Sequence, residues 1–181
     1  MLQRLQAGDE PAYRELVARW QRPILNFVFR LTGDAAAADD IAQDVFARVS
    51  RRIGSFRSDS GGSTFSAWLF QIARNAALDH LRHRRRHPTE PLEPVAGTGP
   101  LEIASSAPDA GMAVQRRELG DEIAAAVLAL PEDQRAAIVL AEYEDLSVAE
   151  IAAILKSTAK SVEARLYRAR QALRQRLAHL L

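Results

Sequence analysis

Arg74, Arg82 and Arg85 recur with Gln71 along the stretch FSAWLFQIARNAALDHLRHRRR, residues 65–86. Guanidinium and amide groups so spaced share one chemistry: they offer hydrogen-bond donors and positive charge to a polyanion. A helical period puts Phe65, Trp68, Leu69, Ile72 and Ala76 within one arc, and sets Gln71, Arg74, Arg82 and Arg85 roughly opposite. With Asn75 beside them, the polar side suits single-stranded nucleic acid, whose phosphates need neutralising and whose bases need donors and stacking surfaces. Phe65 and Trp68 fall on the core arc and are read as structural. The preceding SFRSDSGGST, residues 55–64, is a polar loop with two readings. Ser60 and Gly61 receive an unpaired base there, or the loop only connects two helices.

A second basic stretch, AKSVEARLYRARQALRQRL, carries Lys160, Arg165, Arg168, Arg170, Arg174 and Arg176, with Val162 and Leu166 available for packing. A recognition helix has this composition: donors for base edges and phosphates on one face, apolar residues holding the other face to its domain. The bland alternative is a solvated helix face. Just upstream, Ser147 and Glu150 have the spacing of a capping box, with Leu146 and Ile151 as its hydrophobic staple, so LSVAEIAAIL starts a helix. Lys156, Ser157 and Thr158 break the apolar pattern between the two. A short helix, a tight turn and a longer basic helix make a helix-turn-helix.

Other chemistries lack their residues. There is no cysteine, hence no disulfide framework, thiolate nucleophile or thiolate metal site. His80, His83 and His87 lie near one another, but the surrounding arginines repel a cation and no carboxylate or cysteine completes a ligand set. No glycine-rich phosphate loop, Ser-His-Asp arrangement or buried carboxylate pair can be assembled. No metal, cofactor or enzymatic activity is expected.

The elements that must position these residues are helices. Ala12, Leu16 and Val17, then Ile24, Phe27, Val28 and Leu31, keep a helical period that stops at Gly33. Asp34 can cap the next helix, AAAADDIAQDVFARVSRR, which sets Ala38, Ile41, Val45 and Val49 on one stripe and Asp40 and Asp44 one turn apart on another. Pro131 fits a first helical position, with Glu132 and Asp133 in the first turn. No strand pattern competes.

Between residues 88 and 111 five prolines and three glycines occur without any period, the composition of a flexible linker. The chain is therefore expected to be all-α, with two small helical domains at 1–87 and 116–181 joined by a linker at 88–115. The overall charge of +1 conceals blocks: +5 over residues 1–87, −6 over 116–155 and +6 over 156–181. Segregated charge implies surfaces that meet different partners. No apolar run approaches the roughly 20 residues that span a membrane, and the N-terminus has no signal-peptide core, so a cytoplasmic location is expected.

The quoted segments, in this order, resemble the extracytoplasmic-function sigma factors of bacterial RNA polymerase, in the sigma-70 family. LQAGDEPAY is similar to the family's opening motif, AADDIAQDVFARV to its polymerase-binding helix, and FSAWLFQIARNAALDHLRHRRR to its promoter-melting and minus-ten-reading helix. LPEDQRAAIVLAEYEDLSVAEIAAIL with SVEARLYRARQALR is similar to the minus-thirty-five helix-turn-helix. The resemblance implies a region 2-like bundle and a region 4-like helix-turn-helix. It implies polymerase contacts in the helix carrying Asp39, Asp40, Gln43, Asp44 and Phe46. Arg74, Asn75 and the cluster Arg82, Arg85 and Arg86 would engage the promoter near its start site, with the loop of Ser60 and Gly61 taking a base. Lys160, Ser161, Glu163, Arg165 and Arg168 would lie in or beside the upstream major groove. The implied partners are core RNA polymerase, promoter DNA as duplex and melted strand, and an anti-sigma factor. A sigma-like decoy that titrates an anti-sigma factor without touching DNA is the alternative. Lys156 and Lys160 stand where the family commonly has glycine, so base preference does not carry over from relatives.

Overall fold

The computed structural model describes residues 1–57, 64–87 and 110–180, and among these the only regular elements are helices, as expected. Ser60 and Gly61 lie outside the described residues.

The first half contains α1 (Leu2–Gln6), α2 (Glu10–Thr32), α3 (Ala35–Arg52) and α4 (Phe65–Arg86), with a 3-10 turn at Ile53–Ser55. Each long helix starts on a side-chain cap: Asp9 accepts from the Ala12 amide at 3.3 Å, Asp34 from Ala37 at 3.0 Å and Thr64 from Ala67 at 3.2 Å. Gly33 ends α2 in the left-handed conformation at φ 71°. A Cβ there would meet the Leu128 side chain at 3.0 Å, so glycine serves both the turn and the approach of the second half.

The second half contains α5 (Ala110–Leu128), α6 (Glu132–Glu142), α7 (Val148–Leu155) and α8 (Ala159–Arg176). Helix α5 begins inside the stretch assigned to the linker. Pro131 stands one position earlier than expected, as the N-cap at ψ 142°, and Glu132 takes the first helical position with the acidic first turn intact. Ser147 and Glu150 form the full capping box of α7. Lys156 closes α7 in the left-handed region at φ 49°, ψ 52°, where a glycine would fit without strain.

The first half packs around an aromatic knot that the helical arc only partly foretold. Phe70, 1% exposed, meets Phe27 edge-on at 5.2 Å and Trp20 at 6.0 Å. Phe65 and Trp68 are half-buried and gather around buried Phe56, consistent with their reading as structural. The buried apolar residues of both halves form one contiguous cluster running from Leu5 to Ala169. Arg135 of α6 spans the junction: its guanidinium donates to the Leu31 carbonyl at the end of α2 and to the carbonyls of Leu128 and Leu130. Burial holds its pKa below the usual arginine value, and the three carbonyls supply partners that water would otherwise give.

Candidate nucleic-acid interface

Helix α4 carries the polar stripe of the first half, but this stripe is not open to solvent along its length. Positions 64, 71, 74 and 85 lie on one side of the helix, and each holds a residue of the second half. Thr64 Oγ1 donates to Glu150 Oε1 at 3.2 Å. Gln71 Nε2 donates to the Ala153 carbonyl at 3.2 Å. Arg74 pairs with Asp133 at 3.1 Å, and Arg85 with Glu132 at 2.6 Å. The sequence period placed Gln71 and Arg74 away from their own core, and they are. That side nevertheless meets protein as well as water, because the acidic first turn of α6 and residues of α7 cover part of it. Asn75 remains exposed. Arg82 is exposed and bonds Asp79 within its own helix at 3.3 Å, while exposed Arg86 bonds the Arg82 carbonyl at 3.4 Å.

Helix α8 presents a different picture. Val162, Leu166 and Ala169 are its buried stripe, as the period required. Lys160, Glu163 and Arg168 are exposed, Ser161 is half-buried, and the Ser161 amide donates to the Thr158 cap at 3.2 Å. Arg165 alone among its charged candidates is drawn inward: with its side chain 20% exposed, it pairs at 3.3 Å with Asp133. One carboxylate thus holds an arginine from each of the two basic helices.

On α3, Asp39, Asp40 and Gln43 are exposed and Asp44 is half-exposed, paired with Arg48 at 2.6 Å. Phe46 behaves differently. It is 5% exposed and its carbonyl accepts a hydrogen bond from Tyr13 at 3.1 Å, so its side chain belongs to the core and fixes the helix. The stripe Ala38, Ala42, Phe46, Val49 follows the three- and four-residue helical spacing and carries that information in the sequence. Asp133, Glu132 and Glu150 were not included as contacts in the sequence reading; the negative block over 116–155, followed by the positive block over 156–181, was their signal.

The end of α6 forms a second contact with the first half. The Arg30 guanidinium lies over the Tyr143 ring at 4.0 Å, a cation–π distance. The neighbouring Glu144 is pushed up to about 7, chiefly by burial, with Arg30 opposing the shift and Asp145 adding to it.

Two basic helices, one suited to an unpaired strand and one following a tight turn, are an arrangement that can bind nucleic acid. A family model described as Sigma-70 region 2 matches residues 16–87, and one described as Sigma-70, region 4 matches residues 120–173. Across its full length the chain is 37% identical to a Pseudomonas aeruginosa protein named RNA polymerase sigma-H factor, covering 94% of that protein. It is 34% identical to the Bacillus subtilis ECF RNA polymerase sigma factor SigW, with 99% of this chain and 96% of the relative covered. Among solved structures it is similar to CnrH, determined in complex with the cytosolic domain of CnrY, with a TM-score of 0.73 and 25% identity over 98% of this chain and 95% of that one. The sigma factor RpoE of Bartonella quintana, solved with the anti-sigma factor NepR, shares the fold with a TM-score of 0.72 and 24% identity, covering 92% of this chain and 97% of that one.

Proposed function

Because this chain belongs to the extracytoplasmic-function sigma factors of the sigma-70 family, we propose that it directs core RNA polymerase to promoters with two separate elements, one for each basic helix. The observation that carries the reading is order: region 2, then region 4, each ending in a helix with an arginine-rich polar face.

In this reading residues 1–87 and 116–181 are the two working domains, and the sequence between them is the tether that sets their reach. The exposed Asp39, Asp40 and Gln43 and the half-exposed Asp44 of α3 are the groups that dock on polymerase. Helix α4 engages the downstream element through Gln71, Arg74, Asn75, Arg82, Arg85 and Arg86, where phosphate pairing and contacts to unpaired bases favour the melted strand. Ser60 and Gly61 take one base of it. Helix α8 reads the upstream element with Lys160, Ser161, Glu163, Arg165 and Arg168, its arginines reaching phosphates and guanine edges. Strand separation is driven by binding alone, so no catalytic group or cofactor is called for.

The protein partners in the complexes of similar fold, CnrY on CnrH and the anti-sigma factor NepR on RpoE, support a repressing protein partner for this chain as well. Such a partner acts by covering the polymerase- and DNA-binding faces. Among the described residues no helix is long and apolar enough to cross a membrane. A cytoplasmic site of action fits the work on polymerase.

Run-off transcription tests the reading. Core polymerase supplied with this chain is expected to initiate at discrete new start sites. No new transcripts, from a folded chain and an active core enzyme, would move the chain to a decoy that titrates an anti-sigma factor. Changing Asp40 and Asp44 to lysine is expected to reduce affinity for core polymerase at least tenfold without changing the melting temperature by more than a few degrees, since surface substitutions stay near 0.5 kcal/mol. Undiminished binding would show that α3 is not the docking helix.

A further inference from the structure

Asp133 lies at a position with a distinctive chemistry. Its carboxylate takes Arg74 of α4 on one oxygen at 3.1 Å and Arg165 of α8 on the other at 3.3 Å. A DNA phosphate offers the same thing to an arginine, two anionic oxygens on one centre, and the two side chains held are ones the sigma reading assigns to promoter DNA. Beside it Glu132 holds Arg85, and Glu150 receives Thr64 at the opposite end of α4. Gln71 between them is satisfied by a backbone carbonyl of α7. The acids thus follow the stripe of α4 at intervals, as a strand backbone would.

We propose that the acidic first turn of α6, with Glu150, is an internal substitute for DNA phosphates that keeps the free chain closed, withholding Gln71, Arg74 and Arg165 from nucleic acid and engaging the charge of Arg85, whose side chain stays 71% exposed. The inference rests on the sigma reading for the identity of the ligand withheld, and on the observed ion pairs for the closure itself.

The contact is built to be displaced. Arg74 and Arg165 are drawn in to 13% and 20% side-chain exposure, yet each satisfies only part of its guanidinium there. Arg74 Nε and Arg165 Nη1 are buried without a hydrogen-bond partner. A buried unsatisfied donor costs free energy that a competing ligand with more acceptors recovers. Asp133 itself is 54% exposed, so the closing pairs are partly screened by water and salt. A duplex or melted strand supplies many phosphate oxygens where α6 supplies two carboxylates. Binding therefore favours the open form by its differential affinity, and the closed fraction lowers the apparent affinity of the free chain in proportion. Closure also separates two tasks: Lys160, Glu163 and Arg168 stay exposed on α8 and Asp39, Asp40 and Gln43 on α3, so polymerase and the upstream element can be met before α4 is released.

The test uses the full chain and compares Asp133→Asn with Asp121→Asn, which removes the same charge from an exposed position of α5 away from these pairs. The ligand is a fluorescently labelled duplex of random sequence, because phosphate-driven binding needs no knowledge of the promoter. In parallel, closure is followed by energy transfer between dyes on cysteines introduced at Arg51 and Gln175, both exposed; the natural sequence has no cysteine to interfere. Asp133→Asn is expected to bind duplex about fivefold more tightly than the parent and to lose transfer efficiency, whereas Asp121→Asn matches the parent in both. Glu132→Gln, which frees Arg85 alone, is expected to move both readouts the same way by a smaller factor, and it carries the test if Asp133→Asn melts early. Equal behaviour of the α6 variants and Asp121→Asn in either readout overturns the proposal: opening without tighter binding means that the pairs guard nothing, and tighter binding without opening means that they close nothing. Absence of start-site-specific transcription by the parent chain with core polymerase would strike the sigma reading instead, leaving the closure measurement standing.

Discussion

Helices α4 and α8 begin as the same kind of sequence, an apolar stripe backed by arginines, and end in different situations. Helix α4 is fixed along its apolar side by the Phe27, Trp20 and Phe70 knot, and its opposite side is occupied by α6 and α7. Helix α8 is held by Val162, Leu166 and Ala169, and Lys160, Glu163 and Arg168 remain open to solvent. The lesson is that an amphipathic pattern specifies which side of a helix avoids water, not which side meets it. What the second side meets depends on the charge of the element that folds against it, here the negative block around α6.

The sharpest way to break this comparison is to empty the packing beneath each helix. Phe70→Ala is expected to cost about 3–5 kcal/mol, since the ring is buried between two aromatic partners and the site cannot collapse freely. Leu166→Ala should cost about 2–3 kcal/mol, because α8 has fewer buried neighbours through which to propagate the loss. Chemical denaturation of both variants checks the order. Equal losses would mean that the two helices are anchored alike.

The next effect separates the helices by function. Reversing charge at Arg165 and Arg168 to glutamate is expected to weaken binding to the upstream element by about tenfold to hundredfold and to flatten the dependence on salt by about two phosphate contacts. Polymerase binding should be retained. Titrations at several salt concentrations read both quantities, and an unchanged affinity would remove α8 as the reading helix.

A smaller effect concerns the closed junction near Tyr143. Glu144 is shifted up to about 7, so its neutral form is the one favoured in the folded chain. The stability this contributes is complete below the ordinary carboxyl value of 4.5 and is lost as pH rises through about 7. Between about pH 5 and pH 8 the parent chain should lose about 1 kcal/mol relative to Glu144→Gln, after allowance for the partial solvent screening of the site. Parallel pH profiles of the two proteins would contradict the assignment.

The smallest expected change is a gain. Lys156→Gly relieves a left-handed residue at the turn before α8 and should add about 0.5–1 kcal/mol, seen as a rise of a few degrees in melting temperature.

Much of this architecture was legible before any coordinates. Asp34, Ser147 and Glu150 announced helix starts, Gly33 a helix stop and Lys156–Thr158 a turn, because caps and turns are local chemistry, decided by side chains within a few residues. The candidate DNA residues were legible for the same reason, as a stripe at helical spacing. Three things were not. Phe70 was passed over because an arc centred on Leu69 and Ile72 does not reveal how wide the buried face becomes when a neighbouring helix supplies Phe27 and Trp20. Phe46 was carried across with its exposed neighbours, although its spacing from Ala42 and Val49 marks it as buried. The pairing of Asp133 with Arg74 and Arg165 joins residues far apart in the chain, and no local pattern encodes which acid an arginine will find. Only the segregated charge hinted at it.

In the proposed function the two basic helices read two separate promoter elements on behalf of RNA polymerase. The most direct test is run-off transcription with core polymerase on a library randomised upstream of the start site, followed by sequencing of the transcribed templates. The parent chain is compared with Asn75→Ala in α4 and Arg168→Glu in α8, both at exposed positions outside the contacts between the halves. Two blocks of selected sequence at a fixed separation are expected, with Asn75→Ala relaxing only the downstream block and Arg168→Glu only the upstream one. A single block, or the loss of both blocks from either substitution, would contradict it.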